Sequence, residues 1–184
     1  MRRECGDCTL CCSLLPVKEI SKPGNHKCQH QRYGKGCVIY GSREMPWSCK
    51  VWTCRWLTND DTADLSRPDR SRYVIDVVPD FVRHKTDDGV ETAIPVIQVW
   101  CDPRFRDAHR DPALRAYVQR RAKEGVAALI RHSSTDAFLL VAPHFGDNAD
   151  WLELHSAMRD KEHSAEEVAA AIGGVVIHLE EDRP

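Results

Sequence analysis

The sequence predicts an α+β protein in which an irregular cysteine-rich N-terminal module packs on a small α/β sandwich. Two observations lead to this fold class. Eight of the nine cysteines fall within residues 1–57, a stretch rich in Gly, Pro, His and Lys. After residue 72, apolar runs with strand and helix periodicity alternate in the order β-β-α-β-α-β, which is typical of helices packed against a sheet.

The module, residues 1–57, has too few aliphatic side chains to build a core of its own. Its segments SKPGNHK and YGKGC are predicted turns, because Gly and Asn tolerate the positive φ that tight turns require. Small units without a core commonly fold around a metal. We therefore expect residues 1–57 to be a metal-bound module.

Residues 58–72, TNDDTADLSRPDRSR, are polar and lack a periodic apolar pattern, which predicts a linker loop. Residues 73–184 form the predicted α/β supporting domain. Within it, YVIDVVPDFV at 73–82 and TAIPVIQVWC at 92–101 are predicted strands, with a DDG turn at 87–89 between them.

A helix is predicted to begin at Asp111 and Pro112, with Asp as the N-cap and Pro at the first helical position. Its apolar stripe has helical spacing and comprises Leu114, Val118, Ala122, Val126 and Leu129. The segment AFLLVAP, 137–143, is a predicted buried strand. A capping-box pattern formed by Ser164 and Glu167 opens a second helix, which Gly173 and Gly174 end before a last strand, VVIHL.

Bulk composition excludes several functional classes. The chain has 184 residues and a formal net charge of −2, so no overall charge favours nucleic acid or an anionic membrane. No apolar run approaches the ~20 residues needed to span a bilayer, and no signal-peptide core follows the N-terminus. These features predict a cytoplasmic protein without a membrane partner. In a reducing cytosol, clustered cysteines bind metal or do redox work more often than they form disulfides.

Charge is distributed unevenly along the chain. Residues 1–57 hold 10 Lys+Arg and 4 Asp+Glu, or +6, which leaves 16 and 24, or −8, for residues 58–184. A basic segment often indicates a polyanionic partner. Here thiolates bound to metal offer a nearer counter-charge, because a centre with four thiolates carries about −2 for one Zn²⁺ or an oxidised 4Fe–4S cube. Nucleic acid is therefore the less favoured partner.

Cysteine spacing carries the strongest functional signal. In CGDCTLCC, two residues separate Cys5 from Cys8 and Cys8 from Cys11, a spacing that lets one loop aim several thiolates at one centre. Three close ligands with a remote fourth resemble the wrapping of a 4Fe–4S cube. Zinc alone remains open, because Cys5 and Cys8 could pair with Cys49 and Cys54. The signal for metal is strong and the choice of metal is open, with 4Fe–4S slightly favoured.

The adjacent pair Cys11-Cys12 limits the arrangement. Neighbouring side chains of an extended chain point in opposite directions, which favours two different centres, or two irons of one cluster, over one shared ion. The predicted metal ligands are Cys5, Cys8, Cys11, Cys12, Cys28, Cys37, Cys49 and Cys54. His26 and His30 flank Cys28. Two polar loop histidines are the favoured interpretation, and His30 is the candidate to replace a thiolate.

Three other features were weighed for function. Trp47, Trp52 and Trp56 crowd the last cysteines and are expected to form an apolar shell around the metal site rather than to stack nucleobases. Cys101 ends a predicted strand and is expected to be a small buried hydrophobe. PHFGDN at 143–148 is expected to be a plain turn.

Residues 5–57 resemble the bacterial cysteine-cluster family with a CxxCxxCC motif, described as zinc- or iron-chelating proteins. The resemblance lies in Cys5-x2-Cys8-x2-Cys11-Cys12, in KPGNHKCQHQRYGKGCVIY and in MPWSCKVWTCRWL, where Pro46 and Trp56 stand in the family's places. The family's cysteine near position 31 is absent, which adds weight to His30 as a ligand. Met45 stands where an Arg often precedes the Pro. The resemblance implies metal or iron–sulfur binding, and related motifs occur in flagellin lysine methylases.

The sequence thus predicts a metal-binding protein that holds an iron–sulfur cluster, zinc or both through its N-terminal cysteines. Its role would be redox, group transfer or iron handling, with an unidentified protein partner or electron donor. The alternative is a structural-zinc module that binds a protein or nucleic acid. No phosphate-binding loop, dinucleotide fingerprint, nucleophile elbow or H-E-x-x-H motif indicates an enzyme class.

Overall fold

A computed structural model describes residues 3–76, 80–85, 89, 91–143 and 150–155. Helices and a mixed sheet are both present, which confirms the α+β class. No helix among these residues is long and apolar enough to cross a membrane. The predicted capping box at Ser164, the last helix and strand, and most of PHFGDN lie outside the described residues.

The N-terminal part consists of short elements joined by turns. In chain order these are α1 (Leu10–Leu14), a 3-10 helix (Lys18–Ile20), β1 (Gln31–Arg32), β2 (Gly36–Cys37), α2 (Trp47–Val51) and α3 (Arg55–Thr58). Strands β1 and β2 pair antiparallel. Gly34 and Gly36 have φ of 68° and 77°, and Asn25 has 59°, so the predicted turns use the left-handed region that glycine and asparagine tolerate.

Residues 58–72, the predicted linker, hold a 3-10 helix (Asp60–Thr62) and the one-turn helix α4 (Pro68–Ser71). Leu65 is buried in the main core. Thr62 is also buried, and its hydroxyl accepts a hydrogen bond of 2.8 Å from Arg3. This segment therefore packs closely against its neighbours although its sequence is polar.

Six strands of the described chain form one mixed sheet. The strands are β3 (Tyr73–Ile75), β4 (Asp80–Lys85), β5 (Glu91–Cys101), β6 (Ala127–Arg131), β7 (Ala137–Val141) and β8 (Leu152–Leu154). The order is β3-β5-β6-β7-β8, and β4 also pairs with β5. All neighbours are antiparallel except β5 and β6, which run parallel because helix α5 (Pro112–Lys123) lies between them in the chain.

The start of α5 is as predicted. The Asp111 carboxylate accepts a hydrogen bond of 3.0 Å from the backbone N–H of Ala113, and Pro112 occupies the first turn. The predicted end of the helix is wrong, because α5 stops at Lys123 and Leu129 belongs to β6. Gly125, at φ 78°, ends the helix in a left-handed turn, and the apolar residues beyond it keep helical spacing by coincidence.

Strand β3 shows how the sheet separates two apolar clusters. Tyr73 and Ile75 pack in the main core with α5, while Val74 between them packs with Trp100 and with α1. Alternate side chains of a strand face opposite sides of a sheet. Helix α5 therefore covers one face, and the cysteine-bearing segments cover the other.

Candidate metal centre

The structure gathers one group of four cysteines around a small cavity. Cys5, Cys8, Cys11 and Cys54 line it, and its volume is about 20 Å³, comparable to the space that one water occupies. The rest of its wall is mostly apolar and consists of Trp56, Leu57, Pro68 and Val74. We refer to these four cysteines as the inner group.

Local backbone geometry explains how three members of the inner group come together. The backbone N–H of Cys8 donates to the carbonyl of Cys5 at 2.9 Å, and Gly6 has a φ of 54° within that turn. Cys11 follows in the first turn of α1. The two-residue spacing thus produces a turn that places successive cysteines on one side, as the sequence predicted.

Cys54 is the remote fourth member. It lies between α2 and α3, and its backbone forms a bridge with Asp76 at the end of β3. Its sulfur accepts hydrogen bonds from the backbone N–H groups of Trp56 and Leu57, whereas Cys8 accepts from those of Leu10 and Asp69. Such N–H donors orient a thiolate and stabilise its charge.

Burial nevertheless dominates the acidity of the inner group. Burial raises the pKa of Cys54 to about 11, with the charges of Cys5 and Cys8 adding to the effect. It also raises the pKa of Cys5 and Cys8. A cation inside the cavity would reverse this, because a bound metal deprotonates its thiol ligands.

The remaining four N-terminal cysteines form an outer group: Cys12, Cys28, Cys37 and Cys49. The backbone N–H of Cys28 donates to the carbonyl of Cys12 at 3.2 Å. The Cys37 thiol donates to the sulfur of Cys12. Burial raises the pKa of Cys49, and the charges of Cys12, Cys28 and Cys37 raise it further.

The adjacent pair Cys11 and Cys12 is divided between the two groups. The Cys11 thiol donates a hydrogen bond to the Cys12 sulfur, and this bond is the main cause that lowers the pKa of Cys12 to about 7, despite burial. It correspondingly raises the pKa of Cys11. Both residues lie in helix α1 and not in the extended chain for which opposite directions were expected, so the assignment of the pair to different centres stays a prediction.

Lys22 is a site residue that the sequence did not reveal. Its side chain is buried, with the residue 7 % exposed, and its ammonium group donates to the carbonyls of Leu15 and Pro23. Burial lowers its pKa, and the charges of Cys28, Cys12, Cys11 and Cys49 oppose that shift. Lys22 thus supplies a fixed positive charge beside the outer group, although its sequence context, SKPG, indicates only an exposed turn.

The predicted tryptophan shell is correct for two of the three residues. Trp52 and Trp56 pack against the apolar cluster that contains Cys54 and touches Cys8 and Cys11. Trp47 is 71 % exposed, so its assignment to the shell was wrong. It begins the single-turn helix α2, and this short helix leaves its first side chain facing solvent.

The remaining sequence candidates have hydrogen-bond partners of their own or lie in the main core. The His30 ring is within 3.1 Å of the Gln29 side-chain amide, and the His26 ring is within 2.8 Å of the Gly24 carbonyl. Cys101 is buried in the main core, as expected, and burial raises its pKa to about 12. A thiol of that kind is inert.

No group of three or more His, Cys, Asp or Glu side chains among the described residues is arranged to hold a metal ion as the structure stands. The fit to a metal therefore depends on the chemistry of the donors. Each group supplies four sulfur atoms, which is the full ligand set of a structural zinc ion or of an iron–sulfur cluster.

Two buried indole groups add to this test. The Nε1–H groups of Trp52 and Trp100 are buried, and neither has a hydrogen-bond partner in the structure. Both rings pack in the cluster with Cys54. Orphaned buried donors are uncommon. The sulfide of an iron–sulfur cluster accepts hydrogen bonds, whereas a zinc ion brings no acceptor of its own.

Comparison with known proteins does not place the chain in a family. No family model matches it, and neither the curated proteins nor the solved structures include a significant match. The resemblance to the CxxCxxCC cysteine-cluster family thus stays a prediction from the motif alone.

Proposed function

We propose that this protein binds metal through two four-cysteine centres, an inner one at Cys5, Cys8, Cys11 and Cys54 and an outer one formed by the remaining four N-terminal cysteines. The observation that carries the proposal is the small apolar cavity lined by four thiols. Four free thiols around one cavity supply the donor set that soft metals prefer.

The inner centre favours a 4Fe–4S cluster over zinc on two grounds. Its CxxCxxC loop with a remote fourth cysteine suits a cube. The unpaired indole N–H groups of Trp52 and Trp100 lie in the apolar cluster next to the cavity, although neither residue lines it, and a cofactor with sulfide acceptors offers them partners.

When bound, such a cluster supplies one-electron redox chemistry or a platform for group transfer. The chain's own residues would hold its sulfur ligands, exclude water and fix the surrounding charge. Cys54 and Trp56 provide the dry wall of the inner centre, and Lys22 provides a cation beside the outer group. We propose a cytoplasmic protein that acts with a protein electron donor or handles iron.

The first experiment is an absorption spectrum, with iron, zinc and sulfide analysis, on protein purified without oxygen. A brown protein with a broad band near ~400 nm and matching iron and sulfide supports the cluster. A colourless protein with two tightly held zinc ions supports zinc at both centres, and one zinc ion supports zinc at one of them. Protein that is purified without oxygen and contains no bound metal would overturn the proposal.

Variants of the inner group test the ligands. The double substitution Cys5→Ala and Cys8→Ala should lower metal content and stability, because it removes half of the sulfur atoms from one centre. Cys101→Ala is the matched control, since Cys101 is buried outside both groups and should change neither metal content nor spectrum. Full metal content in the double variant would show that the ligand assignment is wrong.

The exposed aromatic residues of the module favour a second candidate, a structural-zinc module that binds a protein or nucleic acid. Tyr33 is fully exposed, and Tyr40 is 63 % exposed beside Arg43 and Lys35 in the sequence. Aromatic and basic side chains together are typical of interfaces and of single-strand binding. Salt-sensitive binding of a single-stranded oligonucleotide by a colourless zinc protein would support this function.

A further inference from the structure

The inner cysteine group is built into the sheet. Cys54 lies in one apolar cluster with Val74 and Trp100, two residues of neighbouring strands β3 and β5. The sulfur of Cys8 accepts a hydrogen bond from the backbone of Asp69 in α4. Opening this centre therefore requires the module to separate from the sheet.

The loop that carries Cys5 and Cys8 is also held by charge. Arg67 contacts the carboxylate of Asp7 at 2.8 Å and that of Asp69 at 2.6 Å. Asp7 lies within the Cys5–Cys8 loop, and Asp69 lies in α4. The arginine thus joins the inner-group loop to the segment before β3.

The outer group has a different setting. Three of its members lie in residues 26–51, whose only regular elements are two-residue strands and the one-turn helix α2. Aromatic side chains on this segment face solvent, and Tyr33 and Trp47 are 100 % and 71 % exposed. Helix α2 is held by an exposed contact, in which Ser48 donates to the Glu19 carboxylate at 2.8 Å.

The excess of basic residues around the outer group favours binding of an anionic ligand. Residues 26–51 contain five basic residues and one acidic residue, Glu44. The basic residues are Lys27, Arg32, Lys35, Arg43 and Lys50, and Lys22 adds a buried cation beside the sulfurs. A positively charged rim raises the local concentration of anionic ligands.

We infer that the two centres have different roles, and this inference rests on the proposed metal binding. The inner centre is a permanent site, which keeps its metal until the module detaches from the sheet. The outer centre is an exchange site, from which an anionic chelating ligand can take a metal ion, or to which it can deliver one, in the folded protein. In each exchange the metal–sulfur bonds break, the incoming ligand's bonds form, and no electron is transferred.

The test is metal release from the protein as purified, kept without oxygen and incubated with excess EDTA. Metal content is measured over time after gel filtration, first under native conditions and then in urea. The metal of the outer centre should leave the folded protein, while the metal of the inner centre should leave only on unfolding. N-ethylmaleimide added after the native step should label the partly exposed Cys37 and Cys49 and leave Cys54, a buried ligand of the inner group, unlabelled by mass spectrometry.

A variant identifies the released fraction. Cys37→Ser should abolish the rapidly released metal and preserve the retained metal, because Cys37 belongs to the outer group alone. Release of all metal in a single step on unfolding, or labelling of the inner cysteines first, would overturn the inference and leave metal binding intact. Protein that holds no metal before EDTA is added would instead overturn the proposed function, and with it this inference.

Discussion

At the residue scale, His109 and Glu153 show how polar groups are satisfied beside the main core. The buried His109 ring approaches the Arg106 carbonyl through Nδ1 at 2.8 Å and Glu153 through Nε2 at 2.7 Å. The second carboxylate oxygen of Glu153 lies 3.2 Å from His155. Burial works against ionisation of Glu153, but the hydrogen bonds from the two histidines prevail and lower its pKa.

Glu153→Gln should destabilise the protein at neutral pH by about 2 kcal/mol, because it removes a charge-assisted hydrogen bond to a buried ring. The folded-state pKa of Glu153 is depressed, so its contribution is fully present above the unfolded pKa of about 4.3 and is lost as pH falls through the folded pKa. Urea unfolding of both proteins from about pH 7 to about pH 3 measures the difference.

Arg104→Gln is a useful comparison, because Arg104 pairs with the buried carboxylate of Asp102 and leaves Glu153 untouched. Its destabilisation should also shrink in acid, since Arg104 holds the pKa of Asp102 below its usual range. A Glu153→Gln difference that stays constant from neutral to acid pH would contradict the role given to the Glu153 charge.

Local rules predicted some residues of the site and missed others. The turn that brings Cys5 and Cys8 together follows from their two-residue spacing. Cys11 and Cys12 lie in helix α1 and not in an extended chain, so the expected alternation of side chains does not explain why they belong to different groups. The burial of Lys22 and the exposure of Trp47 depend on how distant segments meet. Lysines are mostly exposed and tryptophans are mostly buried, whereas Lys22 is buried and Trp47 is exposed. The residue types therefore did not indicate the burial of either side chain.

At the element scale, the β1–β2 hairpin lies directly against the loop that carries Cys5 and Cys8. Gly36 has a φ of 77°, and a Cβ added there would lie 2.6 Å from the carbonyl oxygen of Gly6. Real Cβ atoms do not approach backbone atoms this closely. Gly36 is therefore the point at which the hairpin of the outer group meets the loop of the inner group.

Gly36→Ala should displace the hairpin and lower both stability and metal content. The strain of the left-handed backbone costs about 1 kcal/mol, and the clash with Gly6 adds to it. Gly34→Ala is the matched control, because Gly34 has a φ of 68° but no atom within 4 Å of the added Cβ. Urea unfolding and metal analysis of the two variants should therefore differ, with Gly36→Ala the more damaged.

Equal loss of stability and equal metal content in the two glycine variants would show that only backbone conformation matters at these positions. In that case the contact between the hairpin and the loop would not contribute to the free energy of unfolding. Greater metal loss from Gly34→Ala would contradict the proximity of the two cysteine groups.

The start of α5 was predictable and its end was not. Asp111 and Pro112 act locally, since a cap and a fixed φ need no distant partner. The helix ends at Lys123 because Gly125 adopts a positive φ, which turns the chain toward β6. The pairing of Ala127–Arg131 with β5 stabilises this turn. Val126 and Leu129 keep helical spacing, so periodicity alone extended the helix across that turn.

At the scale of the whole molecule, the two sides of the sheet are stabilised differently. The main core contains side chains from four strands and α5, such as Ile75, Leu114 and Ile130, and no N-terminal cysteine. The other side has a smaller apolar cluster, in which Cys54 stands among Leu10, Leu14 and Trp100. The sequence predicted the lack of a core in residues 1–57, but not that Val74 and Trp100 would supply its apolar floor, because that requires the register of β3 on β5.

This asymmetry predicts what metal removal does. Apoprotein, prepared by unfolding with EDTA and refolding without metal, should lose amide-exchange protection in α1 and the β1–β2 hairpin. The strands β5, β6 and β7 should keep theirs, because their burial does not depend on the cysteines. Hydrogen exchange with mass spectrometry on the metal-bound and metal-free forms measures this directly.

Cys54 offers a check on which centre couples the module to the sheet. Cys54→Ser, which removes an inner ligand at the end of β3, should reproduce most of the protection loss seen in the apoprotein. Cys37→Ser should affect the hairpin and the part of α1 that carries Cys12, and should leave the sheet protected, since no outer-group cysteine belongs to the main core. If strands β5 to β7 lost protection together with α1 on metal removal, the module and the sheet would form one cooperative unit, and the metal would stabilise the entire fold rather than one face of it.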